Sequence, residues 1–124
     1  MYYPTHLLYT KDHEWIRLDG EYAYIGISDF AQKELGDIVF LDIPSMNKVL
    51  EPEAVFGTVE AVKTVSDLFM PVAGKVIEVN SVLEKSPELV NKDPYGSWII
   101  KAHVKLPLDT THLLSAEQYT NLVQ

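Results

Sequence analysis

Short apolar runs broken by turn residues set the pattern of this chain. Trp15-Ile16-Arg17-Leu18 and Tyr22-Ala23-Tyr24-Ile25-Gly26-Ile27 flank Asp19-Gly20-Glu21. Asp-Gly between two such runs predicts a β-hairpin with a type I′ turn, which needs positive φ at both central residues. Further strands are expected over 37–43, where Pro44 ends the run, and over 55–61, 65–70, 75–80 and 97–105. Helical periodicity is scarce. Ser28 is placed to cap a helix over 29–35 that Gly36 ends. Ser86 followed by Pro87 reads as a cap and first helical residue, opening a short turn through Val90 with Asn91 as its stop. Ser115 and Gln118 have capping-box spacing, and Tyr119, Leu122 and Val123 then give an apolar face that packs on the sheets. Many short strands with few helices predict a mostly β domain, a sandwich or small barrel. A weak echo, strand–turn–strand over 40–61 and again over 69–83, suggests two halves about a pseudo-twofold axis.

The length of 124 residues fits one domain, with a core over about 7–105 and a C-terminal helix over about 115–123. Hydrophobic residues make up 47%, enough for a core. The formal net charge of −8 disfavours nucleic-acid backbones and anionic lipid as partners, and favours enzymes with basic docking patches. With no cysteine there is no disulfide scaffold and no thiolate metal site, so redox sulfur has to come from a cofactor. No apolar run reaches the ~18 residues of a membrane span. The first residues resemble neither a signal nor a transit peptide, so a cytoplasmic protein is expected, or a mitochondrial-matrix one if this is a processed form.

Independent catalytic chemistry is hard to find. His6, His13, His103 and His112 are scattered without metal-ligand spacing. There is no phosphate-binding glycine loop and no nucleophile elbow. No carboxylate pair stands out as acid and base.

One lysine does stand out. Lys63 lies midway between two strand-like runs, 55–61 and 65–70, and a Pro71-Val72-Ala73-Gly74 turn follows. A lysine at a hairpin tip is exposed, reachable by a modifying enzyme and free to carry a long acyl arm. Lipoyl and biotinyl carriers use that arrangement, although from spacing alone an ordinary surface lysine is the commoner case. Val59, Ala61 and Val65 alternate as strand residues, which turns Glu60 outward. Val62-Lys63-Thr64 contains no Gly, Asn or Pro, so the turn is allowed as type I but not announced. Lys33, Lys48, Lys75 and Lys92 lie near turns but lack this context.

Glu60-Ala61-Val62-Lys63-Thr64 resembles the Glu-Ser-Val-Lys-Ala segment of the glycine cleavage system H protein family. His13-Glu14-Trp15, the block from Ile25 to Gln32, the block from Leu35 to Phe40, Pro71-Val72-Ala73-Gly74-Lys75-Val76, Glu78-Val79-Asn80 and the block from Asn91 to Gly96 resemble that family's blocks, in the same order. The match runs over about 7–119. Biotin carriers usually place Met on both sides of the lysine, whereas Val62 and Thr64 stand here. Three departures are visible. Asn47 replaces a usual Gly, and Asn tolerates the left-handed conformation. Ala61 replaces a usual Ser. The segment Gly96-Ser97-Trp98 is one residue shorter, which puts the local loop shape in question.

The resemblance implies a barrel-sandwich hybrid fold of the lipoyl- and biotinyl-carrier kind, with no catalysis of its own. It implies lipoate on Lys63 as an amide. The arm would take the aminomethyl group of glycine from a pyridoxal-phosphate glycine decarboxylase to a tetrahydrofolate-dependent aminomethyltransferase, and a flavin dihydrolipoyl dehydrogenase would reoxidise it. A lipoate ligase or a lipoyl/octanoyl transferase would attach the arm, with outward Glu60 serving its recognition. The loaded arm would park in a cleft on the carrier, its amine facing Glu14 or, as second candidate, Asp67; the alternative is that both are solvated surface acids. The carrier is expected to be a monomer. A lipoate relay to other enzymes would use the same lysine, and an unmodified interaction module of the same fold is the third possibility.

Overall fold

The computed structural model describes residues 1–124. Nine strands and four helices follow in the order β1 (Leu8–Tyr9), β2 (Glu14–Asp19), β3 (Tyr22–Ile27), α1 (Asp29–Leu35), β4 (Ile38–Asp42), β5 (Val49–Leu50), β6 (Val55–Ala61), β7 (Val65–Phe69), β8 (Gly74–Val79), α2 (Val82–Lys85), α3 (Leu89–Lys92), β9 (Ile100–His103) and α4 (Ala116–Val123). They form two antiparallel sheets. One has six strands in the order β1-β2-β3-β9-β8-β5, and the other has three in the order β4-β6-β7. Ile16, Ile25, Val76 and Ile100 of the larger sheet meet Phe56, Val59 and Leu68 of the smaller in one core cluster. Alternation along each strand sends one set of side chains inward and the other out.

A second cluster fastens the chain ends. Leu7, Tyr9, Trp15, Ala116 and Tyr119 are all buried together, and the Tyr9 and Tyr119 rings stack at 4.8 Å. Trp15 lies across its register partner Gly26 so closely that a Cβ there would sit 2.6 Å from the indole. The expected capping box on α4 is present, with Gln118 N–H donating to Ser115 Oγ and the Ser115 N–H to Gln118 Oε1. Tyr119 is buried as expected, but Leu122 is half exposed, and Ala116 takes the inward position instead.

Several local expectations are corrected. The first hairpin pairs Asp19 with Tyr22, so Gly20 and Glu21 occupy the turn centre. Only Gly20 has positive φ, the pattern of a type II′ turn and not of type I′. Ser86 is a C-cap of α2, not an N-cap. The next helix begins at Leu89 and keeps Asn91 inside it. The last strand is shorter than 97–105. The echoed halves differ, because 40–61 spans three strands whereas 69–83 holds one complete strand and the start of a helix. Asn47 does take the left-handed conformation, with φ 67°. The shortened segment is accommodated: Ser97 Oγ donates to Leu89 O, and Asn80 Nδ2 donates to Trp98 O.

Candidate functional site

The smaller sheet ends in the β6–β7 hairpin, and Lys63 sits at its tip. Ala61 N–H donates to Thr64 O at 2.8 Å, which leaves Val62 and Lys63 as the two loop residues. Neither has positive φ, so the turn is not of the I′ or II′ kind usual in two-residue hairpins. A third strand supplies what the turn chemistry lacks. Val62 N–H donates to Asp37 O at 3.0 Å, tying the loop to the entry of β4. That entry is itself held by one side chain. Asn91 Oδ1 accepts from Ile38 N–H at 2.9 Å, while Asn91 Nδ2 donates to Gly36 O at 2.8 Å and Gln32 Oε1 at 3.0 Å.

Lys63 itself is exposed and takes part in no ion pair. Its side chain lies over Gly36, the C-cap of α1, where a Cβ would come 3.4 Å from Lys63 Cε. Gly36 has φ 78°, a conformation that favours glycine, and the open space above it lets the lysine lie down. The ammonium thus rests near the carbonyl end of α1, a favourable place for a cation. Glu60 is exposed, between buried Val59 and Ala61, as alternation required.

Glu14 is far from a solvated surface acid: it is 1% exposed. Thr10 Oγ1 donates to its Oε1 at 2.7 Å, and Phe69 N–H approaches Oε2 at 3.4 Å. Burial pushes its carboxyl up to about 8, against the opposing effect of those hydrogen bonds. At neutral pH that shift favours the protonated carboxyl. Glu14 lines a cleft of about 250 Å³ with Thr10, Met70, Pro71, His112 and Leu114, and with the charged Lys11, Asp12 and Glu53. His13, next to it, has φ 73° and is held through Nδ1 by the Tyr119 hydroxyl at 2.8 Å.

Lys63 stands at the turn before β7, and Glu14, on β2, meets Phe69 at the strand's other end. The five steps from Thr64 to Phe69, at ~3.3 Å each, span about 16 Å of chain. Asp67 is exposed on β7 between them, opposite Thr58, and does not line the Glu14 cleft. Sequence reasoning missed Thr10, Asn91 as a staple, and Tyr119 as the support of His13. Thr10 and Asn91 had no signal beyond being polar residues in a loop and a helix stop; Tyr119 was singled out only for packing.

An exposed lysine on a braced hairpin, with a buried carboxyl in a cleft further along the same strand, suits a carrier of an acyl arm. The comparisons agree. The family model for the glycine cleavage H-protein matches residues 7–124. The glycine cleavage system H protein of Bacteroides fragilis is 56% identical over 124 residues, covering 99% of this chain and 98% of that one. That of Symbiobacterium thermophilum is 50% identical over 117 residues, covering 94% and 91%. The crystal structure of a glycine cleavage system H protein from Mycobacterium marinum superposes with a TM-score of 0.86 at 33% identity, covering 96% and 97%. With its whole core and the lysine hairpin inside the matched span, the chain belongs to the glycine cleavage H-protein family.

Proposed function

We propose that Lys63 is the lipoyl attachment site, and that the chain acts as a carrier without catalysis of its own. Family membership makes it a lipoyl carrier of the glycine cleavage system. The strongest support for Lys63 is its position: exposed, unpaired, at the tip of a two-residue loop that a neighbouring strand braces. A long arm then starts from a fixed point, which sets its effective concentration at each partner site. When bound, lipoate supplies the sulfur chemistry that takes up and returns the aminomethyl group.

The protein's own residues hold and shield. Glu14 offers a carboxyl to the amine of a docked arm, in a cleft where Met70, Pro71 and Leu114 give apolar contact beside the charged Lys11, Asp12 and Glu53. A nearby ammonium favours the carboxylate, so docking would draw the proton from Glu14 and create a charge-assisted contact. Asp67, on the strand between Lys63 and the cleft, is the second candidate for that amine. Glu60 serves recognition by the enzyme that attaches the arm, a lipoate ligase or a lipoyl/octanoyl transferase. The partners on this reading are the pyridoxal-phosphate glycine decarboxylase, the tetrahydrofolate-dependent aminomethyltransferase and the flavin dihydrolipoyl dehydrogenase. The curated relatives are bacterial, and we place the carrier's work in the cytoplasm.

Intact mass and peptide mapping test this. The expected result is one lipoyl group, on Lys63, and none on a folded Lys63→Arg variant. A lipoyl group mapped to another lysine would refute the assignment.

A further inference from the structure

The outer face of the three-stranded sheet is uncovered, and its rows are ordered beneath Lys63. Phe40, Glu60 and Val65 stand opposite one another across β4, β6 and β7. Directly opposed residues project to the same side of a sheet. Phe40 is 54% exposed and Val65 62%, with exposed Glu60 between them. The next row is Asp42, Thr58 and Asp67, with both carboxylates exposed. Val62, in the loop itself, is 76% exposed. No Lys or Arg occurs anywhere in β4, β6 or β7, and none of the three carboxylates joins an ion pair. The larger sheet differs. It carries Arg17, Lys75 and Lys101, and two of these cations lie over tyrosine rings.

Reach decides which partner such a face suits. An enzyme that works on the far end of a long arm can sit well away from the turn. An enzyme that makes the amide must bring Lys63 Nζ into its own active site. Its footprint has to include the residues beside that lysine. We propose, resting on the assignment of Lys63 as attachment site, that the Phe40–Glu60–Val65 row, with Asp42 and Asp67 below it, is the docking face for the enzyme that acylates Lys63. That enzyme meets it with an apolar edge flanked by basic side chains. The two apolar side chains fix the register, and the carboxylates attract the partner and exclude acidic surfaces. The reaction served is amide formation from an activated acyl donor, a mixed anhydride or a thioester. The amine attacks the acyl carbon, a C–N bond forms as the C–O or C–S bond breaks, and the leaving group departs with the electron pair. The ammonium gives up two protons: a thiol leaving group takes one and solvent the other, whereas with a phosphate leaving group, ionised at neutral pH, both go to solvent.

The test uses the full unmodified chain, a lipoate ligase supplied with lipoate and ATP, and intact mass to follow the initial rate. The double variant F40T/V65T places β-branched, strand-favouring residues on an exposed face and should fold as the parent does, which circular dichroism checks. Its kcat/KM for acylation should fall about tenfold, the scale of losing an interface anchor. D42N/D67N should lower the rate at low salt and flatten its salt dependence. Driven to full modification by long incubation, F40T/V65T should then accept the aminomethyl group from the decarboxylase within about twofold of the parent, a difference well below the cost of a lost anchor. Parent-like acylation of F40T/V65T on Lys63, or an equal loss in acylation and in loading, would overturn the docking face. If the parent itself acquires no lipoyl group on Lys63, the site assignment falls, and the docking face with it.

Discussion

The Tyr119 hydroxyl lies 2.8 Å from His13 Nδ1, so the C-terminal helix directly holds the residue that precedes Glu14. The same hydroxyl is 2.7 Å from Ser28 Oγ, and Ser28 caps α1 through Ala31 N–H. Burial lowers the His13 pKa and favours the neutral ring. The Tyr119 hydroxyl thus shares hydrogen bonds with both His13 Nδ1 and Ser28 Oγ. One phenol therefore joins α4, the start of α1 and the Thr10–Glu14 loop. Tyr119→Phe should cost ~1–2 kcal/mol, the scale of a lost buried hydrogen bond. Chemical denaturation measures the loss. Faster amide exchange at His13 and Glu14 would show that the effect reaches the cleft, and unchanged exchange there would confine Tyr119 to packing.

Glu14 gives stability a definite pH dependence. Its folded pKa, about 8, lies above the ordinary carboxylate range. Between that range and about pH 8, the unfolded chain has released the proton and the folded chain still holds it. Stability then falls as pH rises through this window and levels off above it. The loss is on the order of a few kcal/mol, at ~1.4 kcal/mol for each unit of pKa difference. Glu14→Gln keeps an acceptor for Thr10 and removes the ionisation. Relative to this variant, the parent should be destabilised progressively from about pH 5 to pH 8, as measured by urea unfolding at each pH. Parallel pH profiles for the two proteins would contradict the burial argument. The loaded variant should also lose its aminomethyl group faster, because the amide cannot supply a carboxylate to the amine.

Asn91 holds the floor under the lysine turn. Replacing it with Ala removes three hydrogen bonds and leaves Ile38 N–H and Gly36 O without their partner. The site is only partly buried, so water replaces some of the loss. Asn91→Ala should cost roughly 1–3 kcal/mol. The Val62 amide, bonded to Asp37 O next door, should exchange faster with solvent, and an unaltered Val62 rate would show that β4 keeps its entry without Asn91.

How much of this could be read in advance depended on how local the cause was. The Ser28 cap and the Ser115–Gln118 box are set within a few residues, and both were legible. The first hairpin was legible too, but its turn type was not, because pairing Asp19 with Tyr22 is a register choice that Asp-Gly alone does not make. β1 and β5 are two residues each, too short to show any period. Lys63 could be singled out, whereas the brace on its turn comes from Asp37 and, behind it, Asn91. Glu14 could be named through the family resemblance. Its burial could not, since Phe69 N–H reaches it from 55 residues away and the cleft walls come from residues near 70 and 112.

Glu60 should matter for modification and hardly for folding. It is exposed and has no ion-pair partner. Glu60→Ala should change stability by under ~0.5 kcal/mol, as surface substitutions usually do. The initial rate of lipoylation should fall several-fold, on the scale of ~1 kcal/mol for a lost charged contact at an interface. Equal rates for variant and parent would remove Glu60 from recognition.

Docking to the glycine-processing enzymes should weaken with salt. The chain carries a net charge of −8, and acylation of Lys63 removes one more positive charge. The charged side chains of its three-stranded sheet, Asp42, Glu60 and Asp67, are all negative, on the sheet that ends in the Lys63 hairpin. A carrier that visits several enzymes has to arrive quickly and leave quickly, which favours long-range attraction over a large apolar interface. That attraction is screened beyond a Debye length of ~8–10 Å at physiological ionic strength. Stopped-flow association with the decarboxylase and with the aminomethyltransferase should therefore slow as ionic strength rises, by roughly tenfold or more between low and moderate salt, within the range of electrostatically steered encounters. Dissociation rates should change much less, because steering acts on the approach. If the association rate stays flat across that range, the acidic surface serves solubility alone, and recognition rests on contacts made after encounter.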